Sequence, residues 1–273
     1  MIVVGDSGAQ PLLQVDGIYV SFGGLSVLTD VRLDVDAGSV LGVIGPNGAG
    51  KTTLFNVICG FVRPTSGQLR LDGAPLRRHR PHDLPKLGVA RTLQGLGLFP
   101  RLSVLDNVLA GATRFSRTEP MGALLGSPWA DRDERRLRER AAAVMDTLDI
   151  AADAQRPCVS LPYGVRKRVA LARALVSEPR LLLLDEPAAG LSSAETADIA
   201  KIIRGLQERT TVMLVEHHME FVMGLCEHIV VLDFGEVIAR GTPAQVRADP
   251  AVQRAYLGEL VRAAHEKVHS IDA

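Results

Sequence analysis

The architecture is first legible at Gly45-Pro46-Asn47-Gly48-Ala49-Gly50-Lys51-Thr52. The spacing there is G-x-x-x-x-G-K-[ST], the pattern of a loop that cradles phosphates. Glycines let the backbone wrap until successive N–H groups point at one anion. The apolar run at 39–44 ends at Gly45, as a strand buried on both faces would. Residues 51–59 then read as a helix, which Gly60 stops. Strand, loop and helix in that order put the positive end of the helix behind the phosphate. Lys51 has the reach for β- and γ-phosphates, and Thr52 can place its hydroxyl on Mg2+. The expected phosphate contacts are Gly45, Pro46, Asn47, Gly48, Ala49, Gly50, Lys51, Thr52 and Thr53.

Upstream of the loop, 12–20 and 27–35 alternate apolar and polar residues, which predicts half-buried antiparallel strands. Downstream, 69–71 and 89–93 are strand candidates. From 103 to 154 the pattern turns helical, with Leu137, Val144 and Leu148 on a charged background. The mixed-sign run 132–140 reads as a solvated helix face. Strand and helix alternate again after it: strand 180–184, helix 194–208, strand 211–215, helix 219–226 and a hairpin of 229–232 with 237–239. That order argues for an α/β core interrupted by a helical insertion. The end, 258–273, reads as a short helical tail to which no role attaches.

A second chemical feature follows the insertion. Leu181-Leu182-Leu183-Leu184-Asp185-Glu186 is a buried strand closed by two carboxylates. Such a strand presents its C-terminal residues where α/β proteins bind ligands. Asp185 is expected to hold Mg2+, directly or through water. Glu186 is expected to act as general base on the attacking water.

Composition narrows the remaining classes. A hydrophobic fraction of 47% in 273 residues supports a sizeable core. The formal net charge is zero, so bulk charge gives no reason to expect nucleic acid as a partner. Cys59, Cys158 and Cys226 are far apart and form no C-x-x-C pair, which indicates neither a zinc site nor a disulfide framework. No apolar run approaches the roughly 20 residues of a membrane helix. The start lacks the basic and apolar regions of a signal peptide. A cytosolic protein is expected, with any membrane contact passing through a partner.

On these motifs the chain resembles the nucleotide-binding domain of ABC transporters, over 12–258. The resemblance implies a P-loop NTPase (ABC ATPase) core of α/β class with an N-terminal antiparallel β subdomain. It also implies a helical subdomain inserted at about 100–177, with 259–273 as a C-terminal tail. ATP and Mg2+ are the implied ligands. Phe22, in Ser21-Phe22-Gly23-Gly24, lies where the family places an aromatic that stacks on adenine, with Tyr19 as its competitor. Gln94, in Arg91-Thr92-Leu93-Gln94, takes the position of a glutamine that touches Mg2+ and water. Leu161-Pro162-Tyr163-Gly164 resembles the signature motif, so Pro162, Tyr163 and Gly164 are implied nucleotide contacts from a second copy. Ala189-Gly190-Leu191-Ser192 is similar to the D-loop, and His217 takes the place of the switch histidine.

Three positions depart from the family pattern: Pro162 replaces the usual signature serine, Val165 the usual glutamine and Ser192 the usual acid. Without the serine hydroxyl, the contact across the dimer rests on the Gly164 backbone and the helix behind it. Weak or transient ATP-dependent dimers are therefore expected. Five features resemble the branched-chain amino-acid importer ATPases in particular. They are the Phe22 segment, Ala90-Arg91-Thr92-Leu93-Gln94, the Pro162 segment, Pro187-Ala188-Ala189-Gly190-Leu191 and Arg254-Ala255-Tyr256-Leu257-Gly258; the insertion at 115–129 is similar too. The resemblance implies transmembrane permease subunits, a sister ATPase or second copy, and indirectly a periplasmic or extracellular binding protein. It places the chain on the inner face of the cell membrane. Urea or amide import, lipopolysaccharide export, a non-transport ABC ATPase and a non-hydrolysing ATP-binding module are the alternatives.

Overall fold

A computed structural model describes residues 10–92, 95–115 and 128–256. Its strands are β1 (Leu13–Phe22), β2 (Leu25–Val35), β3 (Val40–Ile44), β4 (Ser66–Leu71), β5 (Ala74–Pro75), β6 (Val89–Arg91), β7 (Leu181–Asp185), β8 (Thr211–Val215), β9 (His228–Asp233) and β10 (Glu236–Gly241). The chain divides into two compact units. One holds the residues up to Pro81 together with those from Thr211 on, and the other holds His82–Thr210.

The first unit carries an antiparallel sheet in the order β2-β1-β4-β5. β2 shows why it lies half-buried: Leu28, Val31, Leu33 and Val35 are buried, and the polar residues between the last three face out. A second group of strands in this unit runs β10-β9-β3-β8, with β3 parallel to both β8 and β9. β3 and β8 are buried at every residue, which is why both read as continuous apolar runs. Gly42 in β3 brings the helix Met219–Leu225 close. A Cβ there would lie 2.9 Å from both Val222 Cγ1 and the Cys226 thiol. Burial, with Glu227 and Glu216 nearby, pushes that thiol up to about 12, so it packs as a neutral group.

The second unit pairs β6 and β7 in parallel, with Arg91 opposite Leu183. The strand expected at 89–93 ends at Arg91, while Leu93 and Gln94 lie outside the described residues. The helical segment contains Val104–Leu109 and Pro128–Thr147. In the longer helix Ala141 and Met145 are buried and continue to Leu148, with Leu137 and Val144 half-buried beside them. The charged run ahead of that stripe is largely solvated, as the composition suggests. Asp133 is the exception, buried and paired with Arg136 at 2.9 Å. The buried Asn107 ties down the turn before its helix: its amide donates to Phe99 O and Ser103 O and its Oδ1 accepts from Phe99 N. No helix among the described residues is long and apolar enough to cross a membrane.

Candidate nucleotide-binding site

The loop after β3 is shaped by three glycines with positive φ, Gly45, Gly48 and Gly50. A Cβ on Gly45 would sit 2.0 Å from Leu232 O, and one on Gly50 would sit 2.7 Å from Leu28 Cδ2. At those two positions both conformation and space demand glycine. Gly48 has open space around it and is needed for its φ alone. Ala49 N donates to Pro46 O at 3.2 Å, and Gly235 N donates to Ala49 O at 3.1 Å, which fastens the loop to the β9–β10 turn. The first ladder bond of the helix Lys51–Ile58 runs from Leu54 N to Gly50 O at 2.9 Å. The amides of Lys51, Thr52 and Thr53 precede it and have no acceptor inside the helix. Lys51 Nζ donates to Gly45 O at 2.7 Å and Pro46 O at 2.8 Å, so the ammonium lies against the loop itself. Asn47, Gly48 and Thr52 are exposed and Pro46 and Thr53 half-buried, which leaves the loop open to an anion on its outer side. Such a concavity of amides, a helix start and a lysine fits a polyphosphate.

The two aromatics expected at adenine, Phe22 and Tyr19, belong to the same unit. Phe22 ends β1 and pairs with Leu25 across a two-residue turn, Gly23-Gly24, in which both φ are positive. That is the twisted turn a tight hairpin favours. Phe22 is 52% exposed and Tyr19 37%. His217 follows β8 and its side chain is 62% exposed. Its backbone N–H and that of His218 both donate to Oε2 of Glu216, whose side chain is fully buried.

In the second unit Asp185 closes β7. Its carboxylate accepts from Arg91 Nη2 at 2.8 Å, with both side chains less than a tenth exposed. Asp185 N donates to Thr92 Oγ1 at 3.3 Å. Glu186 takes a left-handed conformation, φ 49°, uncommon for a side chain of this kind. Lys167, itself buried, donates from Nζ to the Glu186 carbonyl at 2.5 Å and so clamps the strained residue. Lys167 lies on the helix Tyr163–Leu175, whose N-cap is Pro162. Pro162 makes no side-chain cap bond, and the first ladder bond runs from Arg166 N to Pro162 O at 3.0 Å. The amides of Tyr163, Gly164 and Val165 are thus left over at a positive helix end. A Cβ on Gly164 would stand 2.1 Å from Glu195 Oε1, so glycine makes room for that carboxylate. Ser192, where the resemblance expects an acid, is a helix cap instead. Glu195 N donates to Ser192 Oγ, and Ser192 N and Oγ donate to Glu195 Oε2, a complete capping box for Ser193–Leu206. Arg173 on the Tyr163–Leu175 helix donates to Leu96 O and Gly97 O, just beyond the position of Gln94.

The residues of the phosphate loop therefore share one turn of chain, and Asp185 and Glu186 share the end of one strand. Gln94 lies outside the described residues. Sequence reasoning missed Arg91, Lys167 and Glu216. Arg91 stood inside a motif quoted for Gln94, and no periodicity marks a buried cation. Ser192-Ser193-Ala194-Glu195 did carry a readable signal, since S-x-x-E ahead of a helix is the capping-box pattern.

Comparison with known proteins adds to this geometry. The family model described as "ABC transporter" matches residues 28–189. A second, "Branched-chain amino acid ATP-binding cassette transporter", matches 236–261. The chain is 41% identical over 253 residues to the high-affinity branched-chain amino acid transport ATP-binding protein BraF of Pseudomonas aeruginosa, covering 92% of this chain and 99% of BraF. It is 39% identical to LivG of Escherichia coli, a protein of the same description, with the same coverage. Among solved structures, the ADP conformation of MJ1267, an ATP-binding cassette of an ABC transporter, superposes with a TM-score of 0.80 at 30% identity. That match covers 92% of this chain and 100% of the other.

Proposed function

Because the chain belongs to the ABC transporter family as an ATP-binding subunit, and is thus an ATPase, we propose that it powers import of branched-chain or similar amino acids through separate transmembrane permease subunits. The observation that carries the cargo class is the near-complete alignment with BraF and LivG, both named for branched-chain amino acid transport. The second family match, at 236–261, points the same way. In this reading the chain pairs with a second copy or a sister ATPase on the inner face of the membrane. A periplasmic or extracellular binding protein brings cargo to the permeases.

ATP is the substrate. The amides of Gly45–Thr53 and Lys51 hold its phosphates, and the exposed Phe22 ring stacks on its base. Thr52 and Asp185 are hard oxygen donors, the kind that hold Mg2+ together with substrate phosphates. Thr52 and Asp185 would hold Mg2+, which would offset the charge that develops on the phosphate oxygens. Glu186, fixed by Lys167 through its backbone, accepts a proton from the attacking water. Gln94 orients that water, and His217 contacts the γ-phosphate. The second copy presents Pro162, Tyr163 and Gly164, where the leftover helix amides meet the same phosphate. Loss of the γ-phosphate removes this shared ligand, and the dimer opens. The motion passes to the permease through the segment 96–107, in which Leu96 and Gly97 accept from Arg173 and Phe99 accepts from Asn107.

The test is Glu186→Gln in a membrane system with the native permeases. ATP turnover should fall by roughly 10²–10⁴-fold, the range of a lost general base, and leucine uptake should fall with it. Unchanged turnover removes Glu186 from its role. Intact coupling to urea or lipopolysaccharide, with no leucine uptake, removes the cargo assignment.

A further inference from the structure

We infer that Glu216 is a positioning residue for His217: its buried carboxylate builds the turn that presents the histidine. The inference rests on His217 acting in hydrolysis, as proposed above, and names the residue that aims it.

A carboxylate with no exposed side-chain surface, one residue past a buried strand, is costly unless hydrogen bonds hold it. Here Oε2 accepts from His217 N at 3.0 Å and His218 N at 3.2 Å. These are two successive amides that β8 no longer uses, since the strand ends at Val215. Glu216 N donates to Val43 O at 3.4 Å, on the strand that feeds the phosphate loop. The residue thus ties the chain leaving β8 back to β3 with its backbone, and folds that chain over its own carboxylate with its side chain. His217 Nδ1 stands 3.9 Å from the same Oε2, so that edge of the ring lies beside the carboxylate while the ring as a whole is exposed. Nearby, the Cys226 thiol stays neutral, with its value pushed up to about 12 by burial and by Glu227 and Glu216. It therefore brings no rival charge. A helix start follows at once, Met219–Leu225, and its N-cap His218 makes no side-chain cap bond. The Glu216 oxygen takes up the amides at this junction that no cap reaches. Without it the turn has lost its internal acceptor, and the imidazole has lost the fixed base on which it stands.

The experiment is a double-mutant cycle on ATP turnover in the full chain. Glu216→Ala should lower kcat by about tenfold or more, because displacing a reacting group by ~1 Å can cost 10²-fold. Affinity for a fluorescent ADP analogue should stay unchanged, which a general loss of structure would not allow. Glu216→Gln keeps an oxygen that accepts both amides and should hold kcat within about threefold of wild type. In a His217→Ala background, adding Glu216→Ala should change kcat by less than about twofold. Multiplying effects in the two backgrounds, or a Glu216→Gln protein as slow as Glu216→Ala, overturns the inference. A His217→Ala protein with wild-type turnover instead refutes the role of His217 itself, so the two failures are told apart. Amide exchange at 217 and 218 gives an independent readout: it should quicken in Glu216→Ala and stay slow in Glu216→Gln.

Discussion

Arg91→Met breaks the ion pair that holds Asp185. The guanidinium and the carboxylate are 2.8 Å apart, with side chains 8% and 5% exposed. At the effective dielectric of ~20 that describes protein sites, a pair at that distance attracts by about 6 kcal/mol. Part of this is spent on removing both charges from water, and removing one partner alone costs about 3–5 kcal/mol. For a chain of this size each kcal/mol moves the melting temperature by about 2–4 °C, so nucleotide-free Arg91→Met should melt roughly 6–20 °C lower. The double variant Arg91→Met, Asp185→Leu removes both charges and should regain most of the loss, since a buried pair and an apolar pair are often equal in stability. The assay is thermal unfolding by circular dichroism at low and high salt. Salt should matter little, because screening barely reaches buried charges. A single variant within about 3 °C of wild type, or a double variant no better than the single, would show that the ion pair is not what holds this strand end.

Gly42→Ala forces a methyl to within 2.9 Å of Val222 Cγ1 and Cys226 Sγ; overpacking of this kind should cost about 1–3 kcal/mol in a denaturant titration, and no loss there would show that the helix yields freely. Glu195 has its carboxyl held below its ordinary 4.5, chiefly by the hydrogen bond from the Ser192 side chain and then by that from its backbone. Its contribution is therefore complete above 4.5 and fades as pH falls through the lower folded value. Ser192→Ala should flatten that acid limb of stability, and melting curves at stepped pH that coincide in shape with wild type would contradict it. Pro162 offers no hydroxyl to a phosphate, so Glu186→Gln with ATP should elute as a monomer at micromolar concentration without permeases; a stable dimer peak would show that the helix amides suffice.

The phosphate loop was legible because its demands are local. Three glycines and a lysine at fixed spacing, after an apolar run, meet the needs of one turn of chain. The same holds for β7, where four leucines and two acids describe a buried strand and its exit. Arg91 was not legible in this way. Its pairing with Asp185 comes from the parallel register of β6 on β7, which places Arg91 opposite Leu183 across 92 residues of sequence. Lys167 was hidden for a related reason: a basic residue on an amphipathic helix reads as solvated, and burial beside Glu186 is a tertiary fact. Pro243–Ala248 is different, because Thr242 and Gln245 form a capping box that the sequence spells out. It went unread since the segment is short and its apolar pattern sparse. Helix ends shifted by a residue or two, as at Ser193–Leu206 against 194–208, because caps rather than periodicity set them.

Calorimetric titration of nucleotide, with and without Mg2+, into wild type, Lys51→Ala and Asp185→Asn asks whether the loop lysine and the strand-end carboxylate serve one magnesium-bound nucleotide. The expected result is one nucleotide per chain, lost in Lys51→Ala, and a gain in affinity from Mg2+ that vanishes in Asp185→Asn. A folded chain that takes up no nucleotide, or whose uptake ignores both substitutions, contradicts it.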